Sequence, residues 1–353
     1  MRIKIRGISL ANIMTPFVII AAAMLITSAL IMTTGANPLN AYYHLLTGVF
    51  SNIIDTINRT VPIAFTAFAV ALGIKVGLFN IGLESQFLMG SLASAAAGAY
   101  ITGLPSAMHV PLCLIVGMLS GMLYALPVTA MFVGKGANLL VLQLLFNSIG
   151  TLICTYFIAG PFAGENPAVA AMPRIQATAQ LPNLINGPNK LSISILFVIL
   201  VAFAIWFYLN KTTGGYQLRA VGDNADAARY AGINVKKYHF WVLLAGGGLA
   251  GFAGALDVTG NFYRMYGNYS PGYGFDGIPI AMLANGNPLG MVIGAIVFGA
   301  LRVGSVNMQA KAGVSVEIVK VIQGVLIMLI SAQHFVRFLV GKYIKNSERS
   351  GKA

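Results

Sequence analysis

Apolar positions in this chain fall into blocks, each ended by glycine, proline or a polar cluster. The blocks cover residues 13–31, 61–79, 84–101, 109–133, 139–159, 191–209, 240–258, 276–284, 289–303 and 317–340. Most are close to the roughly 20 residues that an α-helix needs to cross a bilayer's hydrocarbon, so ten transmembrane segments are predicted. The 276–284 block is too short to cross alone and reads as a half-helix. After the first block comes "NPLNAYYHLLTGVFSNIIDTINRT", where Leu39, Tyr42, Leu46, Phe50, Ile53 and Ile57 recur at helical spacing. This pattern predicts one amphipathic helix lying at the outer membrane surface.

Composition agrees with an all-α, polytopic membrane protein: 57% of residues are hydrophobic and only 9% are charged, against about 25% charged in soluble domains. Mean hydropathy is +0.79. The net charge of +13 is dispersed among apolar blocks, which is the pattern of topogenic charge and not of a nucleic-acid-binding surface. If each block crosses once from a cytoplasmic N-terminus, thirteen basic residues, from Arg2 to Lys352, fall in cytoplasmic loops and tails. Five fall outside: Arg59, Arg174, Lys190, Arg264 and Lys311. The bias places both termini in the cytoplasm. "MRIKIRGISL" is basic like a signal peptide, but the apolar run after it exceeds a signal core of about 7–15 residues, so it reads as a retained span. The whole chain, 1–353, is expected to be a single transmembrane domain with short basic tails.

Chemistry-bearing motifs are few. Cys113 and Cys154 stand in apolar blocks without ligand neighbours and read as small hydrophobes. His44, His109, His239 and His334 show no metal-ligand spacing, so no metal or cofactor is expected. "AGGGLAGFAGAL" lacks the Lys-Ser/Thr of a phosphate loop and predicts close helix packing. No zinc-protease signature, nucleophile elbow or aspartate pair points to an enzyme.

The stretch "GLFNIGLESQFLMG" places Glu84, with Asn80 and Gln86, inside apolar sequence. A carboxylate facing lipid costs about 2.5–3.5 kcal/mol on insertion scales, so Glu84 is expected to face the protein interior. It can cap a helix N-terminus beside Asn80 and Gly82, or contact a solute or gate directly. Asn80–Gly82 and "NGNPLG" from Asn285 are two breaks in apolar segments, and paired breaks mark transport pathways. Asn147 can hydrogen-bond a solute hydroxyl or a neighbouring helix. Phe79 and Phe146 can stack on a base or simply pack. Phe79, Asn80, Glu84, Gln86, Phe146, Asn147 and Asn285 are therefore the candidate pathway residues.

Two loops stand out. The outer loop, about 160–190, holds five prolines and predicts an irregular cap. The inner loop, about 210–237, differs: Asp223 or Asn224 can cap a short helix from Ala225 to Tyr230, with Gly232 as its left-handed terminus.

"GGYQLRAVGDNADAARYAGINVKK" resembles the cytoplasmic coupling segment of permease subunits of bacterial ABC importers, in the family handling branched-chain amino acids, ribose and nucleosides. "GLFNIGLESQFLMG" and "GFDGIPIAMLANGNPLGMVIGAIVFGAL" resemble two further stretches of that family, and the three occur in family order from Val61 onward. The loop ending "MPRIQATAQLPNL" is more similar to the nucleoside branch, which works with basic-membrane-protein-type lipoprotein receptors. Where the family shows "NEVV-T--LN", this chain reads "NLLVLQLLFN": Asn138 and Asn147 match, while Leu139 replaces the acid and Gln143 the threonine. That departure leaves open an altered contact or a different solute.

The resemblance implies a permease without chemistry of its own, in the bacterial cytoplasmic membrane. Its implied partners are an ABC ATPase subunit, a second permease, heterodimeric more readily than homodimeric, and a substrate-binding lipoprotein. The implied solute is a nucleoside or related neutral, sugar-containing compound; a simple sugar, riboflavin or a branched-chain amino acid are alternatives. Gly215, Arg219, Ala220, Gly222, Asn224, Ala227, Ala228, Gly232 and Ile233 are implied to couple the chain to the ATPase. A self-sufficient carrier is the alternative mechanism, with proton coupling at Glu84, Asp257 or Glu317.

Overall fold

The computed structural model describes residues 10–164, 169–187, 189–267, 269–270, 272–315, 318, 320–322, 324–325 and 328. Most of the tenth predicted block, including Glu317, and the basic tails lie outside the described residues. Among these residues the chain is almost entirely helical: α1 (Leu10–Thr33), α2 (Pro38–Ser51), α3 (Ile53–Ile74), α4 (Leu83–Tyr100), α5 (Ser106–Lys135), α6 (Leu139–Ala159), α7 (Ser194–Lys211), α8 (Thr213–Asp223), α9 (Ala225–Tyr230), α10 (Val235–Asp257), α11 (Tyr273–Leu283) and α12 (Pro288–Ala312). α10 continues into one π turn, Val258–Phe262. Six helices are long and apolar enough to cross a membrane, and α1 with α2 forms a further pair bent by 114°. α4 fills the third predicted block but is rich in Ser, Ala and Gly, which lowers its hydropathy below that of a lipid-facing span. Contacts divide the chain into two units, 53–300 and 1–52 with 301–353.

In the larger unit, α3, α4 and α10 are buried on nearly every side. The outer faces of α5, α6 and α7 instead expose Leu123, Leu152 and Phe203. Glycines set how closely the inner helices approach. A Cβ on Gly90 of α4 would lie 2.3 Å from the Gly251 backbone of α10, and one on Gly121 of α5 would lie 2.3 Å from the Gly247 carbonyl. The glycine run of α10 is thus a helix-packing surface, as its sequence predicts.

α3 fixes the two ends of this unit. At its N-terminal end, buried Asn58 donates to the Lys190 carbonyl (2.7 Å) and accepts from Ser192 N–H (3.3 Å). This ties α3 to a small hairpin, Asn183–Ile185 with Leu191–Ser192. At its C-terminal end, the Lys75 carbonyl meets Gly222 of α8. The loop before the hairpin is held by backbone bonds, Met172 N–H to Met265 O, Ile175 N–H to Tyr263 O and Leu181 N–H to Thr259 O, each 2.9 Å. A proline-rich segment with few side-chain periodicities thereby satisfies its backbone polar groups without being a helix.

In the smaller unit, the predicted amphipathic helix over 39–57 is two helices: α2 stops at Ser51 and Ile53 already belongs to α3. Asn37 caps α2, accepting from Leu39 N–H, with Pro38 in the first turn. α2 buries Ala41, Leu45 and Gly48, while Leu39, Leu46 and Phe50 of the predicted stripe point outward. Size explains the reversal: Asn307 of α12 lies over Gly48 and Gly304 lies against Leu45, an approach that larger side chains on the packed face would prevent.

Candidate functional site

The break between α3 and α4 is the centre of the predicted pathway. α3 ends at Ile74, Gly77 turns the chain at φ +75°, and helix resumes at Leu83. Between them, residues 78–82 need hydrogen bonds from elsewhere, and two carboxamides on one face of α6 provide them. Gln143 accepts from Ile81 N–H (2.9 Å) and donates to Asn80 Oδ1 (2.7 Å). One turn on, Asn147 donates to the Ile81 carbonyl (2.9 Å) and accepts from Ser85 N–H (3.2 Å). Asn80, Gln86 and Gln143 are all buried. The Gln86 Oε1 atom is buried with no hydrogen-bond partner among the described residues.

Glu84 also bridges two elements. Its Oε2 accepts from Gly274 N–H at 2.7 Å, so it caps the start of α11 and not its own helix. α11 is the short helix expected from the 276–284 block: eleven residues, about 16 Å at 1.5 Å per residue. It begins deep in the unit, where Thr66 Oγ1 of α3 donates to the Tyr273 carbonyl (2.8 Å). Gly274 fits because a Cβ there would lie 2.3 Å from Glu84 N. A carboxylate at a helix N-terminus satisfies an otherwise orphan N–H and complements the helix dipole.

The seven pathway candidates separate in space. Asn80, Glu84, Gln86 and Asn147 gather at the α4–α6–α11 junction. Asn285 stands past the opposite end of α11, at φ +49°, where its carbonyl accepts from Lys75 Nζ (3.3 Å). Phe146 packs edge-on against Tyr124, centroids 5.8 Å apart, and Tyr124 donates to the Phe146 carbonyl (2.7 Å). Phe79 is partly exposed.

A second polar cluster escapes the sequence reading apart from Asp257. Tyr269 donates to Asp257 Oδ2 (2.9 Å) and Asn261 to Oδ1 (3.2 Å). Arg59 of α3 lies within electrostatic reach of that carboxylate and donates to Tyr273 Oη (3.1 Å). Phe87 stacks on Tyr269 and meets Tyr273 edge-on. The signal available in the sequence is a lone Asp inside the 240–258 apolar block, which requires a partner there; Arg59, just ahead of the 61–79 block, reads as loop charge.

The coupling candidates form a compact end. Thr212 caps α8, accepting from Gly215 N–H (3.0 Å). Gly215 and Gly222, seven apart and so on one face of α8, pack on different neighbours: Cβ atoms there would lie 2.0 Å from the Tyr208 carbonyl and 2.1 Å from that of Lys75. Asn224, rather than Asp223, caps α9 by accepting from Asp226 and Ala227 N–H. Gly232 follows at φ +82°, and Ile233 N–H bonds back to the Ala228 carbonyl (2.9 Å), closing the helix end. Ala228 is buried, Ala220 and Ile233 are half-buried, and Ala227 is exposed. Tyr216 and Tyr230 are exposed, and the partly buried Arg219 has an Nη1 atom without a hydrogen-bond partner among the described residues. Tyr238 donates to Gln217, fixing α8 to α10.

Comparison with known proteins bears on this arrangement. A family profile described as "Branched-chain amino acid transport system / permease component" matches residues 52–331. The guanosine ABC transporter permease protein NupP of Bacillus subtilis is 30% identical, covering 95% of this chain and 98% of its own length. The glucose ABC transporter permease protein TsgB13 of Haloferax volcanii is 28% identical, over 93% and 89%. The nucleoside ABC transporter permease protein NupB of Lactococcus lactis is 27% identical, over 97% of each. The same two bacteria hold second permeases, NupQ and NupC, which match 69% and 70% of this chain. The broken α3–α4 junction, the inserted α11 and the docked α8–α9 pair are thus the framework of a transport protein, and the chain belongs to the family of branched-chain amino acid transport system permease components.

Proposed function

We propose that this chain is a pore-forming permease of an ATP-driven importer of nucleosides. The observation that carries the reading is the α8–α9 pair. Gly215 and Gly222 seat it against α7 and α3, while Tyr216 and Tyr230 are left exposed for a partner. The sequence has no Walker A motif, so the partner on this face is a separate ATPase subunit.

Force on α8 reaches the pathway in two steps. Gly222 bears on Lys75 at the end of α3, and the break at 77–82 follows directly, held by Gln143 and Asn147. Displacement there changes how α4 and α6 meet, and with them the Glu84–Gly274 contact to α11. ATP-driven closure of the ATPase subunits thereby alternates access to a path between the helices. Gln86, whose Oε1 has no partner among the described residues, suits a hydroxyl or base edge of an uncharged solute more than an anion.

NupP and NupB, named for guanosine and nucleoside, support the solute class. Their paired second permeases support a heterodimeric pore, and a lipoprotein receptor delivers solute to the 160–190 face. TsgB13, named for glucose, favours a simple sugar as the second reading. Uptake of labelled nucleoside in cells expressing this chain with its ATPase and receptor tests both, using glucose, ribose, riboflavin and leucine as competitors. Uptake blocked by unlabelled nucleoside and abolished by the Walker-lysine mutation is expected. Uptake that survives the mutation rejects the importer, and block by glucose alone selects the sugar reading.

A further inference from the structure

An apolar crevice of about 670 Å³ opens between α5, α7 and α10, beside α8. Its floor includes Leu72, Gly248 and Leu218, with Met118 and Met122 along one wall and Val201 and Ala204 along the other. Its axis follows α10 from Lys237 to Leu249, about 18 Å at 1.5 Å per residue, comparable to one leaflet's share of a roughly 30 Å hydrocarbon core. Ala204 and Ala245 line it and are exposed, so it faces outward from this unit.

One end is chemically different from the rest. Tyr208, Tyr238 and Trp241 form an aromatic collar there, with Lys237 beside them. At the same end of α7, Lys211 lies over Trp206 with Nζ 5.9 Å from the ring centroid. Aromatic rings and lysines at the end of membrane helices mark the headgroup level, and basic pockets between such helices bind anionic headgroups. α7 and α10 are both among the helices apolar enough to cross a membrane.

We propose that this crevice holds an anionic phospholipid, with an acyl chain along α10 against Met118 and Met122 and the phosphate on Lys237. An unfilled apolar slot loses dispersion contacts along its whole lining; an acyl chain restores them without bringing polar atoms inside. The apolar lining excludes the uncharged polar solute of the pathway. Because Leu218 of α8 forms part of the floor, the lipid stiffens the seat of the coupling segment.

Native mass spectrometry of the assembled transporter tests the site, with dioleoylphosphatidylglycerol and dioleoylphosphatidylcholine supplied in parallel. Retention of phosphatidylglycerol about fivefold above phosphatidylcholine is expected, the preference one lysine near the surface confers. Lys237→Gln should bring the two lipids to equal retention, and filling the slot with Ala245→Phe or Ala204→Phe should remove the bound lipid from an intact complex. Equal retention of both lipids by the wild type overturns the proposal, as does an unchanged adduct in both filling variants. A wild-type complex that carries no lipid adduct but falls apart when the slot is filled also overturns it, assigning the crevice to a helix of a neighbouring subunit. These readouts do not depend on which solute is transported.

Discussion

Glu84 and Gln143 carry the weight of the broken α3–α4 junction because each satisfies backbone that no helix can. The Glu84 carboxylate accepts from Gly274 N–H in a buried setting, so Glu84→Gln keeps an acceptor for that N–H and gives up the charge at the α11 N-terminus, worth up to about 2 kcal/mol where it is buried. Uptake by Glu84→Gln should remain within about half of wild type; a proton-coupled carrier relying on this group would instead lose uptake altogether. Glu84→Ala strands the Gly274 N–H and should lower the stability of the assembled transporter by about 1–3 kcal/mol, read as a fall in melting temperature. Gln143→Leu removes a donor and an acceptor together and orphans Ile81 N–H, so a loss of similar size, about 1–3 kcal/mol, is expected. A Gln143→Leu transporter that melts with wild type would show that water or another group serves Ile81 equally well.

At the scale of elements, α8 acts as a rigid strut only if its glycine face stays in contact with α3. Adding one methyl at Gly222 places a Cβ 2.1 Å from the Lys75 carbonyl oxygen, and backbone atoms there cannot swing aside like a side chain. Gly222→Ala should therefore leave ATP hydrolysis running while uptake per ATP falls about tenfold, within the ~1–3 kcal/mol of typical coupling free energies. Parallel measurement of hydrolysis and uptake checks it; unchanged coupling would mean that the contact does not transmit. The sequence shows α9 well, because Asn224 and Gly232 act on residues within five positions of themselves. It shows the glycine packing of α10 for the same reason, a local repeat. Glu84's place on α11 is hidden because its partner is 190 positions away, and Gln143 reads as a departure from family pattern until Asn80, 63 positions earlier, is beside it. The stripe of α2 misleads for a different cause: helical spacing marks an apolar face without telling whether protein or its surroundings covers it, and the small Ala41 and Gly48 mark the packed side.

For the chain as a whole, α11 decides whether the topology closes. A helix of about 16 Å cannot cross a roughly 30 Å core, yet Tyr263 and Met265 pair with the 172–175 loop while Asn285 reaches Lys75 at the other end of α3. Among the described residues before α11, Tyr263, Met265 and Tyr269 are buried in protein, the setting in which non-helical backbone is tolerated beside a half-helix. Contacts with Asn58 and Lys75 put the 160–190 loop and the α8–α9 pair at opposite ends of α3, with α7 running between them. On the proposed importer reading, the excess of lysine and arginine turns the α8–α9 end to the cytoplasm, the side on which an ATPase subunit would have access to ATP. Single cysteines at exposed Asn186 and Tyr230 test the assignment in whole cells, since Cys113 and Cys154 are buried and stay silent. A membrane-impermeant maleimide should label Asn186→Cys in intact cells and Tyr230→Cys only after permeabilisation. The reverse pattern would turn the coupling pair away from ATP and remove the importer mechanism; labelling of both in intact cells would show that α7, the only long helix between the two positions, does not cross.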